Sequence, residues 1–460
     1  MEYFNDTGNI VKEIFSRLKK RDFSGTTGLV VKNSFYQFSR DLISKLGSFI
    51  FTVILARLLL PEMFGLYSLA LSTILIFAAV SELGVRTTLI RFVAKEFGKK
   101  RGKIKAYLFY LGKIGVVLVI FFAILLLVLA DYISNNFYQK PIFLALLAGS
   151  LYIIFIQLMG FLQSMLQASN YFKAIFKREI IFQASKIILV PLAIIFAIKY
   201  SLSNEINLML IILFLVFSLF LTSLFLFYDV KKIYFKKIKT EKINKLQKKQ
   251  KTTINKFLLA TATLVFSGVF FGYIDKVMLG HFVQAEFIGY YTAAFGLIGA
   301  LTPLIGFAAI VVLPIFSRLK GGRLEQGFKK SIKITLLFST GAFLVTLILA
   351  YFVILIVYGK EYILALNILR ILSLLLFIIP AASLYQAYYI SQGKPQTVAK
   401  LLLTATILNI LLNYIFIILL LPYGNLAAVY GVAIATIISQ FFYMAGLMIS
   451  RKRKSLLNKL

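Results

Sequence analysis

The 460-residue chain contains no cysteine and only one histidine, and both shortages limit its chemistry. Without cysteine there are no disulfides, no thiolate metal ligands and no cysteine nucleophile. One imidazole, that of His281, cannot build a histidine metal cluster. We therefore expect no metal, no cofactor and no thiol-dependent catalysis.

Charged residues are also scarce, and their signs are unequal. Only 15% of the residues are charged, against about a quarter in soluble domains, whereas 60% are hydrophobic and the mean hydropathy is +0.89. This composition excludes a soluble globule and predicts an integral membrane protein. The 51 Lys and Arg against 17 Asp and Glu give a net charge of +34, which is also typical of nucleic-acid-binding proteins. The distribution of the charges decides between the two interpretations.

Hydrophobic runs long enough to cross a bilayer occupy almost the whole chain. A membrane-spanning helix needs about 20 mostly apolar residues. The twelve predicted spans are 35–58, 63–86, 106–130, 141–168, 176–198, 206–228, 257–280, 287–316, 334–357, 362–390, 398–420 and 426–449. The connections leave no room for a soluble catalytic domain.

Lysine and arginine are concentrated in alternate loops. Forty of the 51 lie in the terminal segments and in the loops on one side, whereas the opposite loops hold four. Cytoplasmic loops carry such an excess, so we expect a multi-pass protein of the cytoplasmic membrane with both termini cytoplasmic. A basic inner face is the default for a multi-pass protein and adds attraction to anionic membrane lipids, so no nucleic-acid partner is expected. Residues 1–29 lack the apolar segment of a cleavable signal peptide, so the first span is expected to direct insertion.

An internal repeat relates the two halves of the chain. A shift of 224 residues aligns 54–70 with 278–294, and a shift of 220 aligns 137–146 with 357–366. The identical pairs are Leu55/Leu279, Glu62/Glu286, Gly65/Gly289, Tyr67/Tyr291, Ala70/Ala294, Tyr138/Tyr358, Lys140/Lys360, Leu144/Leu364, Ala145/Ala365 and Leu146/Leu366. Both alignments fall on equivalent outer turns of the two halves.

With six spans in each half, the halves have the same orientation and are expected to be related by an axis along the membrane normal. The predicted fold is all-α, with about twelve transmembrane helices in two six-helix bundles that rock about a central cavity, as in alternating-access transporters. The predicted divisions are a basic cytoplasmic N-terminal segment at 1–34, a first bundle at 35–228, a basic cytoplasmic linker at 229–256, a second bundle at 257–450 and a basic tail at 451–460.

Several segments resemble the Wzx-type oligosaccharide flippases, the polysaccharide-biosynthesis members of the multidrug/oligosaccharidyl-lipid/polysaccharide (MOP) exporter superfamily. They are ARLLLPEMFGLYSLA, ELGVRTTLIRFVAKE, DKVMLGHFVQAEFIGYYTAA, LPIFSRL, YGKEYILALNILRIL, QGKPQTVAKLLLTATILNILLNYIFI and YGVAIATIIS. The resemblance covers about residues 30–450. It implies MATE-like pseudo-two-fold symmetry and translocation of a polyprenyl-pyrophosphate-linked oligosaccharide, with other polysaccharide-assembly proteins as partners.

Ionisable side chains inside spans are costly and indicate function by default. Asp41 and Lys45 lie four residues apart, as do Glu82 and Arg86, so each pair shares one helical face and can interact. These four are candidate cavity residues. The alternative interpretation is that the pairs only neutralise each other at the membrane interface.

Positive charge predominates within the spans, where seven bases face three acids. Arg40, Lys186 and Arg370 are further candidates, together with the adjacent Asp275 and Lys276, whose side chains diverge along a helix. A basic cavity suits an anionic cargo such as a lipid pyrophosphate. Arginine would bind phosphate in bidentate fashion, and lysine would act as a point charge.

Neutral polar residues are candidates for binding the sugars. Gln157 lies in the fourth span, Gln386 in the tenth, and Asn409 and Asn413 lie four apart in the eleventh. Amides both donate and accept, as sugar hydroxyls require. The alternative is hydrogen bonding between helices.

The energy source is not ATP bound to this chain, since no P-loop is present. Transport would run down a cargo gradient or be coupled to H+ or Na+. Asp41, Glu82 and Asp275 are the candidates for ion coupling, because a carboxylate can take up a proton or hold Na+.

Two other functions remain open. A cation-coupled multidrug exporter of the MATE type would favour an acidic cavity for cationic drugs, and this one is basic. A membrane polymerase or glycosyltransferase would need a long outer loop with catalytic groups, and every outer loop here is short. We therefore expect a transporter with no catalytic residues.

Overall fold

The chain folds into helices joined by short turns. The computed structural model describes residues 25–97, 103–240, 246–306, 316, 319 and 321–457, and no strand occurs among them. The helices are α1 (Gly25–Glu82), α2 (Val85–Glu96), α3 (Ile104–Asp131), α4 (Phe143–Ala168), α5 (Phe172–Lys199), α6 (Asn204–Thr240), α7 (Lys248–Phe282), α8 (Ala285–Ile305), α9 (Gly321–Val357), α10 (Ala365–Leu372), α11 (Leu375–Ser391), α12 (Pro395–Leu420) and α13 (Asn425–Leu457). A π-helix, Tyr132–Tyr138, extends α3, and 3₁₀ turns occupy Lys360–Tyr362 and Leu421–Tyr423.

Ten segments of the described chain are long and apolar enough to cross a membrane. The first, Phe35–Glu96, has 62 residues and is too long for one pass at 1.5 Å per residue. Its helix α1 changes direction at Leu60, whose backbone (φ 59, ψ 171) is driven from the helical region by Pro61. The segment therefore makes two passes, and α7 covers the predicted seventh span. The predicted all-α fold of about twelve transmembrane helices is confirmed.

Several helices continue beyond the predicted spans. Helix α6 runs to Thr240 and α7 begins at Lys248, so the described part of the predicted linker is largely helical. Hydropathy locates the ends of an apolar run, whereas lysine-rich flanks are good helix formers and prolong the helix into the polar region.

The predicted second span is interrupted near its end. Leu83 and Gly84 both have positive φ, 39° and 76°, and separate α1 from α2. The predicted tenth span is likewise divided into α10 and α11 at Ser373 and Leu374. A helical face predicted from spacing across either break is therefore not continuous.

Two lobes make up the bundle: the N-lobe is α1–α6 and the C-lobe is α7–α13. We call the side with turns 200–203, 283–284 and 421–424 the short-turn face. The side with turns 169–171 and 391–394 is the basic face. Most of the buried apolar side chains form one cluster that extends through both lobes.

Helix α7 contacts both lobes. Near the basic face, the Tyr110 hydroxyl of α3 donates to Asn255 Oδ1 at 3.0 Å, and the Arg91 guanidinium lies 4.2 Å from the centre of the Phe257 ring. Further along, α7 packs against α12 of its own lobe. The first helix of the C-lobe is thus also attached to the N-lobe.

Candidate functional site

A buried charged cluster lies between α1 and α5 in the N-lobe, and we call it the N-lobe centre. Arg178 and Glu179, both from α5, are ion-paired with side chains 8% and 4% exposed. Gln183, one turn later, donates to Glu179 Oε1 at 2.7 Å. Gly47 of α1 makes room for this glutamine, since a Cβ there would lie 2.7 Å from Gln183 Oε1.

Lys186, which the sequence indicates as a candidate cavity residue, belongs to the same centre. Its ammonium donates to Ser48 Oγ of α1 at 3.1 Å and lies 4.9 Å and 5.2 Å from the ring centres of Phe51 and Phe182. The two rings hold a buried cation by cation–π attraction while leaving it without a direct carboxylate partner among the described residues.

The predicted pairing of Asp41 with Lys45 is wrong. Asp41 is ion-paired with its neighbour Arg40, and Lys45 is exposed. The long arginine side chain can reach along its own helix to the adjacent carboxylate, so the four-residue spacing does not decide the partner. Arg40 nonetheless lies close enough to Arg178 for their charges to repel, which places it at the N-lobe centre.

Glu82 and Arg86 make no direct ion pair among the described residues, although they lie close enough for their charges to attract each other. The break at Leu83 and Gly84 removes the continuous helix that the four-residue spacing assumes. Arg86 instead donates to Gln157 Oε1 at 2.6 Å. A Cβ at Gly160 would lie 2.2 Å from the Arg86 Cζ, so the guanidinium rests directly on the α4 backbone.

Gln157 holds Arg86 in place. Its amide nitrogen donates to Ser81 Oγ at 2.9 Å and to the Ala78 carbonyl, while its oxygen accepts from Arg86. All three contacts are between helices, which is the alternative that the sequence left open for this residue. Arg86 also lies within electrostatic range of Arg178.

The centre holds more positive than negative charge. Its bases are Arg40, Arg86, Arg178 and Lys186, and its acids are Asp41, Glu82 and Glu179. The Nε atoms of the three arginines are buried and have no partner among the residues that the structure describes. The centre therefore offers spare donors as well as net positive charge.

Sequence reasoning missed Arg178 and Glu179. Both lie at the start of the predicted fifth span, where Arg178 is counted with the preceding turn and Glu179 is not counted among the acids; α5 begins earlier, at Phe172, and buries both. Asp41, Glu82 and Asp275 are therefore not the only acids inside the bundle. The adjacent opposite charges at the start of an amphipathic helix were the available signal.

A second buried polar cluster, the C-lobe centre, surrounds Asp275 of α7. Tyr291 and Thr436 donate hydroxyl hydrogens to Asp275 Oδ2 at 2.6 Å and 2.8 Å, and Asn413 Nδ2 donates to Oδ1 at 2.7 Å. Asn413 also donates to Asn409 Oδ1 at 3.3 Å. Four helices thus converge on one carboxylate.

Three of these residues, Asp275, Asn409 and Asn413, were candidates from the sequence, and the structure brings them together. Tyr291 was noted only as a member of the repeat, and no sequence signal singled out Thr436. In the C-lobe centre the Nδ2 of Asn409 and the Oδ1 of Asn413 are buried without a partner among the described residues. The cluster has both a spare donor and a spare acceptor.

The remaining candidates donate no hydrogen bond to either centre among the described residues. Lys276 lies within range of the Asp275 charge, but its ammonium is 5.1 Å from the centre of the Tyr273 ring. Arg370 is exposed on α10, and its guanidinium lies 3.4 Å from Asn367 Oδ1. Gln386 lies beside Tyr443.

Comparisons with known proteins agree with this architecture. Residues 30–320 match the family of polysaccharide biosynthesis proteins. No curated protein sequence matches the chain significantly.

Among solved structures, lipid II flippase MurJ in an inward closed conformation has 18% sequence identity and a TM-score of 0.71, over 91% of this chain and 87% of that one. A multidrug resistance MATE family transporter of the MOP superfamily, in an inward-facing conformation, has 16% identity and a TM-score of 0.67, over 90% and 96%. A MOP superfamily transporter from Pyrococcus furiosus has 16% identity and a TM-score of 0.53, over 94% and 97%. At these identities the likeness concerns the fold.

Proposed function

Because the chain belongs to the polysaccharide biosynthesis protein family of the MOP superfamily, we propose that it is a flippase for a polyprenyl-pyrophosphate-linked oligosaccharide, working by alternating access. Its family and structural neighbours are membrane transporters and flippases. One protein of the same fold is a lipid II flippase. The observation that carries the proposal to this chain is the net positive N-lobe centre.

The N-lobe centre suits a pyrophosphate. Guanidinium groups bind phosphate oxygens with paired, directional hydrogen bonds, and the Nε of each of the three arginines has no partner in the described part of the chain. Lys186 adds a buried positive charge that makes no direct ion pair with a carboxylate among the described residues. A cationic drug would be repelled by four bases facing three acids, which favours the flippase over the multidrug exporter.

We propose the C-lobe centre as the site of ion coupling. Asp275 is 4% exposed and receives three hydrogen bonds from neutral groups, and among the described residues no cation makes a direct ion pair with it. A proton or Na+ would neutralise the buried carboxylate, and hydroxyl and amide oxygens are suitable Na+ ligands. Asp41 and Glu82 lie beside arginines, which already compensate their charge.

Transport of labelled cargo into liposomes tests the proposed function. We expect the purified chain to move a fluorescent polyprenyl-pyrophosphate oligosaccharide across the bilayer, faster than liposomes without protein. A fluorescent cationic drug serves as the second substrate. Movement of the drug alone would contradict the flippase proposal and support the multidrug exporter.

We propose that the basic face is cytoplasmic, since basic loops are retained on that side. The chain contains no cysteine, so single introduced cysteines report unambiguously. We expect Glu62→Cys and Gln284→Cys, both at exposed positions of the short-turn face, to react with an impermeant thiol reagent outside intact cells. Lys248→Cys, exposed at the opposite end of α7, should react only after the cells are opened. The reverse pattern would contradict the orientation.

A further inference from the structure

The repeated turns of the two halves lie in contact with each other at the short-turn face. A Cβ at Gly65 would lie 1.8 Å from the Ala285 carbonyl oxygen, and a Cβ at Gly289 would lie 2.1 Å from the Pro61 carbonyl oxygen. The shift of 224 residues that aligns Gly65 with Gly289 also aligns Pro61 with Ala285. The same glycine-to-carbonyl contact therefore occurs twice across the pseudo-two-fold axis, once with the glycine in the N-lobe and once with the glycine in the C-lobe. Glycine permits this approach of two backbones because it has no side chain.

Side-chain hydrogen bonds between the lobes repeat the same symmetry. Arg57 Nε donates to the Val357 carbonyl at 2.8 Å, and His281 Nδ1 lies 2.6 Å from the Phe137 carbonyl. Arg57 and His281 are equivalent under the shift of 224, and Phe137 and Val357 under the shift of 220. Since a carbonyl only accepts, His281 carries a proton on Nδ1. Its ring also stacks on that of Phe137, with centres 4.6 Å apart.

A second pair of equivalent carbonyls is bound in a similar way. The Tyr362 hydroxyl donates to the Ala56 carbonyl at 2.8 Å, and Lys140 Nζ donates to the Gly280 carbonyl at 2.6 Å. Ala56 and Gly280 correspond under the shift of 224. Partial burial lowers the pKa of Lys140 below its usual value, which marks this contact as shielded from water.

All four carbonyls lie in the last turns of helical segments, the segment of Ala56 ending at the change of direction at Leu60, and carbonyls in last turns commonly lack an intrahelical donor. These helix ends also carry partial negative charge, which explains why three of the four donors are basic side chains. When the lobes separate, water can take over both partners of each bond, so opening leaves no buried polar group unsatisfied. The contacts can thus keep the two lobes together at the short-turn face without making the free energy of their separation too high.

We propose that these contacts form a gate at the short-turn face, whose two halves are the repeated turns and whose strength sets how often the transporter opens to that side. We call it the short-turn gate; it comprises the glycine contacts of Gly65 and Gly289 and the carbonyl bonds of Arg57, His281, Tyr362 and Lys140. The gate acts on the lobes themselves, so it does not depend on the identity of the cargo.

Thiol accessibility beneath the gate tests the proposal. Thr52 of α1 lies deeper than the gate, with its Cγ2 3.8 Å from the position of a Cβ on Gly296 of the other lobe. In a Thr52→Cys background, we expect Gly65→Ala or Gly289→Ala to raise the rate of labelling from the short-turn side about tenfold, because an added methyl forces the backbones apart. Gly341→Ala, where no atom lies within 4 Å, is the matched control. Equal rates in all three alanine variants would overturn the proposal.

Cross-linking provides a second arm that leaves both glycines in place. The stacked side chains at positions 137 and 281 lie on opposite lobes, so Phe137→Cys/His281→Cys should form a disulfide on oxidation. We expect the oxidised protein to show no labelling at Thr52→Cys from the short-turn side and no transport, with both restored by a reductant. Undiminished labelling after complete cross-linking would overturn the gate. Labelling requires no cargo, so this result is separable from a failure of the proposed flippase function.

Discussion

Arg178→Met is expected to abolish transport and to lower the free energy of unfolding by about 3–5 kcal/mol, the usual result of removing one partner of a buried ion pair. Glu179 is 3% exposed and, among the described residues, would keep the Gln183 amide as its one hydrogen-bond partner. An uncompensated carboxylate at that depth is costly. Chemical unfolding in detergent and transport in liposomes measure the two effects separately.

The double variant Arg178→Met/Glu179→Leu separates stability from function. An apolar pair of similar volume is expected to recover most of the lost stability. It should still fail to transport, because the N-lobe centre has lost a guanidinium. The matched control is Arg451→Met, whose partner Glu325 is 36% exposed, so water compensates the remaining charge. Normal transport by the double variant would contradict the role assigned to Arg178.

Asp275→Asn is expected to remove the dependence of transport on the coupling ion. The amide is nearly the same size as the carboxylate, but it is neutral. It can therefore neither take up a proton nor neutralise the charge of a bound cation. It also replaces one of the two carboxylate oxygens, which accept hydrogen bonds from Tyr291, Thr436 and Asn413, with an NH2 group that can only donate. Liposome transport measured with and without imposed Na+ and pH gradients should give equal rates for this variant.

Lys276→Gln is the control for that experiment. Lys276 is adjacent to Asp275 and within range of its charge, but its ammonium lies over the Tyr273 ring and is not one of the donors to the carboxylate. We expect this variant to retain the ion dependence of the unmodified protein. If Asp275→Asn retained it as well, the C-lobe centre would not be the coupling site.

Hydropathy and the alternation of basic loops were sufficient to predict the helical passes, because the bilayer imposes one simple requirement on each of them. The contacts within the sites were predicted less well. Four-residue spacing did not predict the hydrogen-bond partner of Arg86, which is Gln157, since a break in the backbone at Gly84 interrupts the helical geometry. Arg178 and Glu179 were missed for a different reason: burial at the end of a bundle depends on neighbouring helices, which no local window contains.

Asp275 shows the opposite case. A lone carboxylate in an apolar run requires polar neighbours, so its importance was visible from the sequence. Asn409 and Asn413 were visible too, but their meeting with Asp275 depends on how α12 packs against α7, more than 130 residues earlier in the chain. Hydrogen-bonding capacity could be predicted from single residues, and the assembly of those residues could not.

The attachment of α7 to both lobes has a mechanical consequence. Its first turns are tied to the N-lobe at Asn255 and Phe257, while Asp275 is tied to the C-lobe. If the lobes rotate against each other, the helix must flex or slide between these anchors. Gly268 and Gly272 lie between them with no neighbouring atom within 4 Å of a Cβ, and glycine is the residue that resists helix distortion least. A bend in helix α7 can therefore couple a change of charge at Asp275 to the position of the N-lobe.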